Sequence, residues 1–192
     1  MRIIHQAAIC TLALSVSAGA ALAQQQPAGP PPTPMSLSST SFTDGGILAD
    51  KYTAAVDKPV SPALAWRNAP AGTVSFTLVM HDPDNAPMKN VLDTTHWVIF
   101  NIPASVSSLP EGVANVPTLP DGSMQLKSSA TVVGFRGPAF RGNIYHHYTF
   151  ELYALDTKLA LTPDASREDV VKAMDGHIVG KAVDEVRFHR AP

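Results

Sequence analysis

The chain has 192 residues, with 14 lysines and arginines against 16 acidic residues and a net charge of −2. That length suits one domain, and without a long run of like charge the chain has neither the basic stripe of a nucleic-acid binder nor the polybasic face of an electrostatic membrane-surface protein. Any anion it binds must be held by local donors, not by the overall field.

Residues 1–23 read as a secretory signal peptide. Arg2 supplies the positive start, Ala7 to Ala21 is apolar and small, and Ala21-Leu22-Ala23 is an A-x-A cleavage site before Gln24. The apolar run is short for a membrane span, so no stable span is expected after cleavage. The expected location is periplasmic or secreted. Cys10 is the one cysteine and lies in the signal, so the mature chain can form no disulfide and depends on its core. Cleavage removes Arg2 and no acid, leaving 13 basic residues against 16 acidic. Residues 24–34 are rich in proline and read as an extended linker. The folded domain is expected over residues 35–192.

Met35 to Phe42 alternates loosely, as a first strand would, and Thr43-Asp-Gly-Gly46 is a turn. Ser61 to Trp66 comes next, and Asn68 to Gly72 is another turn before the central strand. Val74 to Met80 and His96 to Ile102 are rich in β-branched and aromatic residues and read as two strands. Between them lies His81-Asp-Pro-Asp-Asn-Ala-Pro87. Its prolines fix φ and remove donors, so the first strand must stop there. Ser107 to Pro120 reads as loop, and Thr131 to Phe135 as a short strand. In Tyr145 to Leu155, residues 146, 148, 150, 152 and 154 share the more apolar face, which is expected to point inward. Ser166 with Asp169 resembles a capping box. Val170, Val171, Met174, Ile178 and Val179 then recur at helical spacing, with Gly176 and Gly180 weakening the second half. Val183 to Arg190 alternates like a last strand.

The polar groups at strand ends are Asp82, Asp84, His96, His146, His147 and Tyr148. Taken singly, each has a structural role available: an Asp beside Pro bonds its own turn, a strand His is satisfied in the core, and a buried Tyr ties its hydroxyl. Asp82 and Asp84 together, with His96 a short loop away, favour function. His81, His177 and His189 read as surface residues. No HExxH, HxH or comparable spacing supports a metal, so neither metal nor cofactor is expected. Neither G-x-S-x-G nor the phosphate-cradling G-x-x-x-x-G-K-[ST] occurs.

Several segments come in a distinctive order. They are Ser61-Pro-Ala-Leu-Ala-Trp66, Pro70-Ala-Gly-Thr, Asp82-Pro-Asp-Asn-Ala-Pro87 and His96-Trp-Val-Ile-Phe-Asn-Ile-Pro103. Leu109-Pro-Glu-Gly112, Gly137-Pro138, His146-His-Tyr148 and Tyr153-Ala-Leu-Asp156 follow. Over about Ser38 to Arg190 this order resembles the phosphatidylethanolamine-binding proteins, in their bacterial Raf-kinase-inhibitor-like branch. The resemblance implies a mainly β fold with a large antiparallel sheet, a smaller sheet and a C-terminal helix. It also implies a small pocket for phosphate-like anions and phospholipid head groups. The matching positions are Asp82, His96, Gly137, Pro138, His146 and Tyr148, with Asp84 buttressing the knot. Three departures bear on selectivity. Asn85 lengthens the knot, Ala139-Phe-Arg141 stands where further prolines are usual (so that Arg141 could add a donor or Phe140 close the mouth), and His147 replaces a frequent arginine.

On the residues themselves, His96, His146, Tyr148 and backbone N–H groups near Gly137 could donate to an anion. Asp82 would accept from a histidine or from a ligand ammonium. A carboxylate facing a phosphate is repulsive unless a proton is shared. The expectation is a binding protein without catalytic residues, which could also engage a partner protein. One alternative is an esterase-like or phosphatase-like hydrolase in which Asp82 orients His96. Another is a protease or kinase inhibitor acting by surface docking.

Overall fold

The computed structural model describes residues 33–87, 92–128 and 132–191. The signal peptide and all but the end of the proline-rich linker lie outside the described residues. The strands are β1 (Ser36–Ser38), β2 (Gly46–Ile47), β3 (Leu64–Arg67), β4 (Ser75–Asp82), β5 (Thr94–Pro103), β6 (Ser108–Leu109), β7 (Met124–Gln125), β8 (His146–Leu155) and β9 (Ile178–Phe188). Helix α1 (Arg167–Met174) falls between the last two strands. One sheet has six strands in the order β2-β9-β8-β4-β5-β7, and a second has three in the order β1-β3-β6. The neighbours pair antiparallel except β2 with β9, which run parallel.

The large sheet is covered on both faces. Phe76, Leu78, Met80, Trp97, Ile99, Tyr148, Phe150 and Leu152 fill the core on its inner face, with Leu64, Trp66 and Leu109 from the small sheet. Val79, Val98, Phe100 and Leu155 fill its outer face, under Val170 and Met174 of α1. A strand buried on both sides needs no polar face, which is why Val74 to Met80 reads as a near-continuous apolar run. Full burial of a ring such as Phe150 contributes about 2 to 3 kcal/mol. In β8 the even-numbered residues are buried and the odd ones half-buried up to Tyr153, as the alternation required.

The capping box at Ser166 forms. The Asp169 N–H donates to Ser166 Oγ at 3.1 Å, and the Ser166 N–H to Asp169 Oδ2 at 2.9 Å. The helix then ends at Met174, earlier than the spacing suggested, and Gly176 turns the chain at φ +79°. Ile178 and Val179, expected on the helix, open β9 instead, where Ile178 pairs with Leu155. Gly180 pairs with Ala154, and a Cβ there would lie 2.7 Å from the Pro70 ring. Close packing on β8 therefore outweighs helical spacing. Val132 to Phe135 forms an isolated bridge, Lys127 with Val133, where a strand was expected, and the loop at Ser107 to Pro120 contains the short β6.

A β-bulge matters most for function. Met80 pairs with Trp97 but His81 pairs with Thr95, so His96 is the extra residue in β5. Trp97 already faces inward, and plain alternation would send His96 outward. The bulge re-aims it to the inner side, against Tyr148.

Candidate functional site

At one end of the large sheet, the ends of β4 and β8 and the start of β5 bring Asp82, His146, Tyr148 and His96 together on the inner face. All four are at least 94% buried, with relative exposures of 2%, 6%, 0% and 2%. His146 donates from Nδ1 to Asp82 Oδ2 at 2.8 Å. Asp82 Oδ1 accepts the Asp84 N–H at 3.0 Å, so the carboxylate also closes its own turn. The His96 and Tyr148 rings meet edge to face, with centroids 5.0 Å apart.

His96 is held differently from His146. Its Nδ1 lies 2.9 Å from the backbone carbonyl of Arg136, whose own N–H donates to the His96 carbonyl at 2.8 Å. A carbonyl only accepts, so Nδ1 carries the hydrogen and Nε2 of the neutral ring is a lone pair. Burial above all holds this imidazole down to about 4; the bond to the carbonyl works the other way and is outweighed. At neutral pH His96 is therefore an acceptor at Nε2, where a donor was expected. Asp82 pairs with His146 and not with His96, so the Asp82–His96 pairing that the hydrolase alternative needs is not made.

The Tyr148 hydroxyl is buried and has no hydrogen-bond partner among the described residues. Its pKa is pushed above the ordinary phenol value, first by burial and then by the Asp82 charge; the amides of Phe140 and Ala139 pull the other way. The N–H groups beside the hydroxyl are thus those just after the Gly137-Pro138 turn, two and three residues beyond the expected Gly137. Gly137 has its own structural reason. A Cβ there would lie 2.9 Å from Pro59 Cβ and 3.0 Å from the Thr53 backbone, and the Ala54 N–H donates to the Pro138 carbonyl at 2.8 Å. The turn is pressed against the segment after Tyr52, which fixes where Ala139 and Phe140 emerge.

Phe140 lies flat on His146, with centroids 3.5 Å apart and planes 15° from parallel. It forms the cover of the site. Arg141 is exposed and leads away, bridging to Arg190. Asp84 does not join the cluster. Its carboxylate accepts from both the N–H and Nδ1 of His147 at 2.8 Å each, and its pKa is lowered, first by that backbone bond. It buttresses the knot from outside, and His147 serves it as partner. Asn85, the inserted residue, accepts from the Thr94 N–H at 2.8 Å through its carbonyl and so bridges the knot to β5.

His81 is not a surface residue. It faces the outer side of the sheet, donates from Nδ1 to Asp93 at 2.6 Å, and places Nε2 3.7 Å from Glu151. Asp93 also takes Arg167, and Lys181 Nζ bonds Glu151 at 2.6 Å. His189 is half-buried, with Nδ1 donating to the Gly142 carbonyl at 2.9 Å, whereas His177 is exposed as expected. Two hollows lie outside the Asp82, His96, His146 and Tyr148 cluster. One of about 480 Å³ borders Gly137 and Ala139 beside Lys58 and Arg136. One of about 470 Å³ lies between Asp93 and the start of α1. Among the described residues no group of three His, Cys, Asp or Glu is placed to hold a metal ion.

Comparison with known proteins places this arrangement. The profile of the family described as phosphatidylethanolamine-binding protein matches residues 38–189. A UPF0098 protein of Methanothermobacter thermautotrophicus is 44% identical over 148 residues, 77% of this chain and 94% of that one. A solved phosphatidylethanolamine-binding protein homologue from Chlamydia trachomatis shares 28% identity at a TM-score of 0.71, over 82% of this chain and 98% of that one. The crystal structure of Escherichia coli YbcL, described as a member of the mammalian PEBP family, shares 26% identity at a TM-score of 0.70, over 82% and 99% of the two chains. With the family's profile spanning the domain and both sheets matched in solved relatives, the chain belongs to the phosphatidylethanolamine-binding protein family, in its YbhB/YbcL-type bacterial and archaeal branch.

Proposed function

We propose that the chain is a periplasmic or secreted binding protein for small oxyanions and phosphorylated head groups, acting through Asp82, His96, His146, Tyr148 and the Gly137–Phe140 turn. One observation carries this reading: the Tyr148 hydroxyl, buried beside the Asp82–His146 pair, has no hydrogen-bond partner among the described residues. A buried donor left unmade costs about 1 to 3 kcal/mol, and a ligand oxygen would remove that cost. Backbone N–H groups of Ala139 and Phe140 offer donors on the same side. Asp84 supports the knot through its bonds to Asp82 and His147.

Tyr148→Phe tests the reading, because it separates binding from folding. It removes a buried hydroxyl left without a partner, so the variant should be at least as stable as the parent, by up to about 1 to 3 kcal/mol. In the parent, phosphate and phosphoethanolamine should raise the melting temperature; in the variant the rise should vanish. A parent protein indifferent to both ligands ends the proposal. The proposed location is checked separately by sequencing the N-terminus of the exported protein, which should begin at Gln24.

A further inference from the structure

We infer that a proton shared between Asp44 and Asp184 latches the turn at Thr43 to Gly46 onto β9, so that this edge of the large sheet is closed while the pair is protonated and opens locally when both acids ionise. β9 lies between β8 and β2, and β2 is two residues long. Gly46 pairs with Val186 and Ile47 with Arg187. On either side of that short pairing the Gly45 N–H donates to the Glu185 carbonyl at 2.8 Å and the Leu48 N–H to the Arg187 carbonyl at 3.0 Å. Under the turn sits Asp184, on the inner face of β9 and 4% exposed. Its Oδ1 accepts the Glu185 N–H at 3.0 Å, and Asp44 Oδ1 accepts the same N–H at 3.1 Å. The two carboxyl groups border a hollow of about 310 Å³ whose other walls are Leu37, Ser38, Ser39, Phe42, Thr43 and Val183. One N–H cannot satisfy two buried charges. The acids stay face to face only while one carries a hydrogen that the other accepts.

No cation answers the pair. From β1 and the segment after it come side chains that do not titrate, and Ser38 and Ser39 give their hydroxyls to the Ala65 and Ala63 carbonyls. Across on β8 the partner is Phe150, on which Phe42 stacks with centroids 5.4 Å apart. Along β9 the two-residue period sends Lys181, Glu185 and Arg187 to the outer face. There Lys181 bonds Glu151, and Arg187 Nε donates to the Gly45 carbonyl at 2.8 Å. Burial first, and then Asp44, raises Asp184 from 3.8 to about 6, while the Glu185 N–H works against them. Near pH 5 the pair therefore holds its proton. At pH 8 both acids are charged and push the turn off β9. Opening bares the Glu185 and Arg187 carbonyls, a strand edge that the closed turn covers.

The test is hydrogen exchange of the intact protein, followed by NMR from pH 5 to 8 and expressed as protection factors. The Gly45 and Leu48 amides should be at least about tenfold less protected than those of Val79 and Met80, which lie in β4 between β5 and β8, because the turn opens without the rest of the sheet. A raised pKa favours the closed form at low pH and withdraws that advantage as pH rises through about 6, so protection at Gly45 and Leu48 should fall about tenfold between pH 5 and 8. In Asp184→Asn and in Asp44→Asn an amide hydrogen replaces the titrating proton, and the fall should vanish; each variant stands in for the other if one does not fold. Protection at Gly45 and Leu48 that is flat with pH in the parent overturns the inference. A tenfold fall that survives in either folded variant also overturns it, since the titrating group would then lie elsewhere. Equal protection of Gly45 and Val79 does the same, because the turn would then leave β9 only when the whole domain unfolds.

Discussion

β4 ends on two consecutive residues that meet opposite fates. His81 and Asp82 are neighbours in sequence, and the two-residue period of the strand sends one to each face of the sheet. Each enters an aspartate–histidine pair: His81 with Asp93 at 2.6 Å on the outer face, His146 with Asp82 at 2.8 Å on the inner. On the outer face Arg167 and Lys181 accompany Asp93 and Glu151, so the charges answer one another and tie β4, β8, β9 and α1 together. On the inner face the pair stands beside a tyrosine hydroxyl without a partner and a histidine lone pair. The same residue types make a strut on one side and a candidate site on the other. What separates them is the hydrogen-bonding capacity left over after the fold has taken its share.

Removing the inner carboxylate should have the largest effect. Asp82→Ala strips His146 and the Asp84 turn of their acceptor in a buried setting and should cost about 3 kcal/mol in urea denaturation. It should abolish the ligand-induced rise in melting temperature as well. The outer counterpart, Asp93→Ala, leaves His81 and Arg167 without their shared partner and should cost about 2 kcal/mol. Phosphate should still stabilise that variant. If Asp93→Ala also loses its response to phosphate, the two faces are coupled and the contrast between strut and site breaks.

The smallest expected effect is a slope with pH. The folded pKa of His96 is lowered from 6.5 to about 4. Between those values the unfolded chain binds more protons, so His96 makes stability fall as pH drops from 6.5 to about 4. Asp184 has the opposite sign. Burial first, and then Asp44, raises it from 3.8 to about 6, so it favours the fold at low pH and loses that contribution as pH rises through 6. In the parent the two partly cancel between pH 4 and 6. Asp184→Asn should therefore steepen the loss of stability on acidification, read as the urea midpoint from pH 4 to 7. A shallower slope in that variant would put the neutrality of His96 in question.

Much of this was legible in the chain. Alternation in β8 named the buried face, with Phe150 and Leu152 directing His146 and Tyr148 inward, because side-chain direction in a strand follows a period of two. Ser166 with Asp169 located the start of α1, because a capping box is a local bargain between residues three apart. The proline-bounded knot put Asp82 and Asp84 at a strand end, and the order of motifs carried the family. The rest required contacts between distant segments. Ile178 and Val179 had helical spacing, yet β8 offered a partner and they paired with it. His96 faces the site because a bulge against β4 turns it there, and its proton position is set by a carbonyl forty residues away, at Arg136. His81 left the surface because α1 brought Arg167 to Asp93. The hydrogen on His96, the loose hydroxyl of Tyr148 and the ring of Phe140 over His146 are decided by which backbone groups arrive beside them, and no local pattern encodes that.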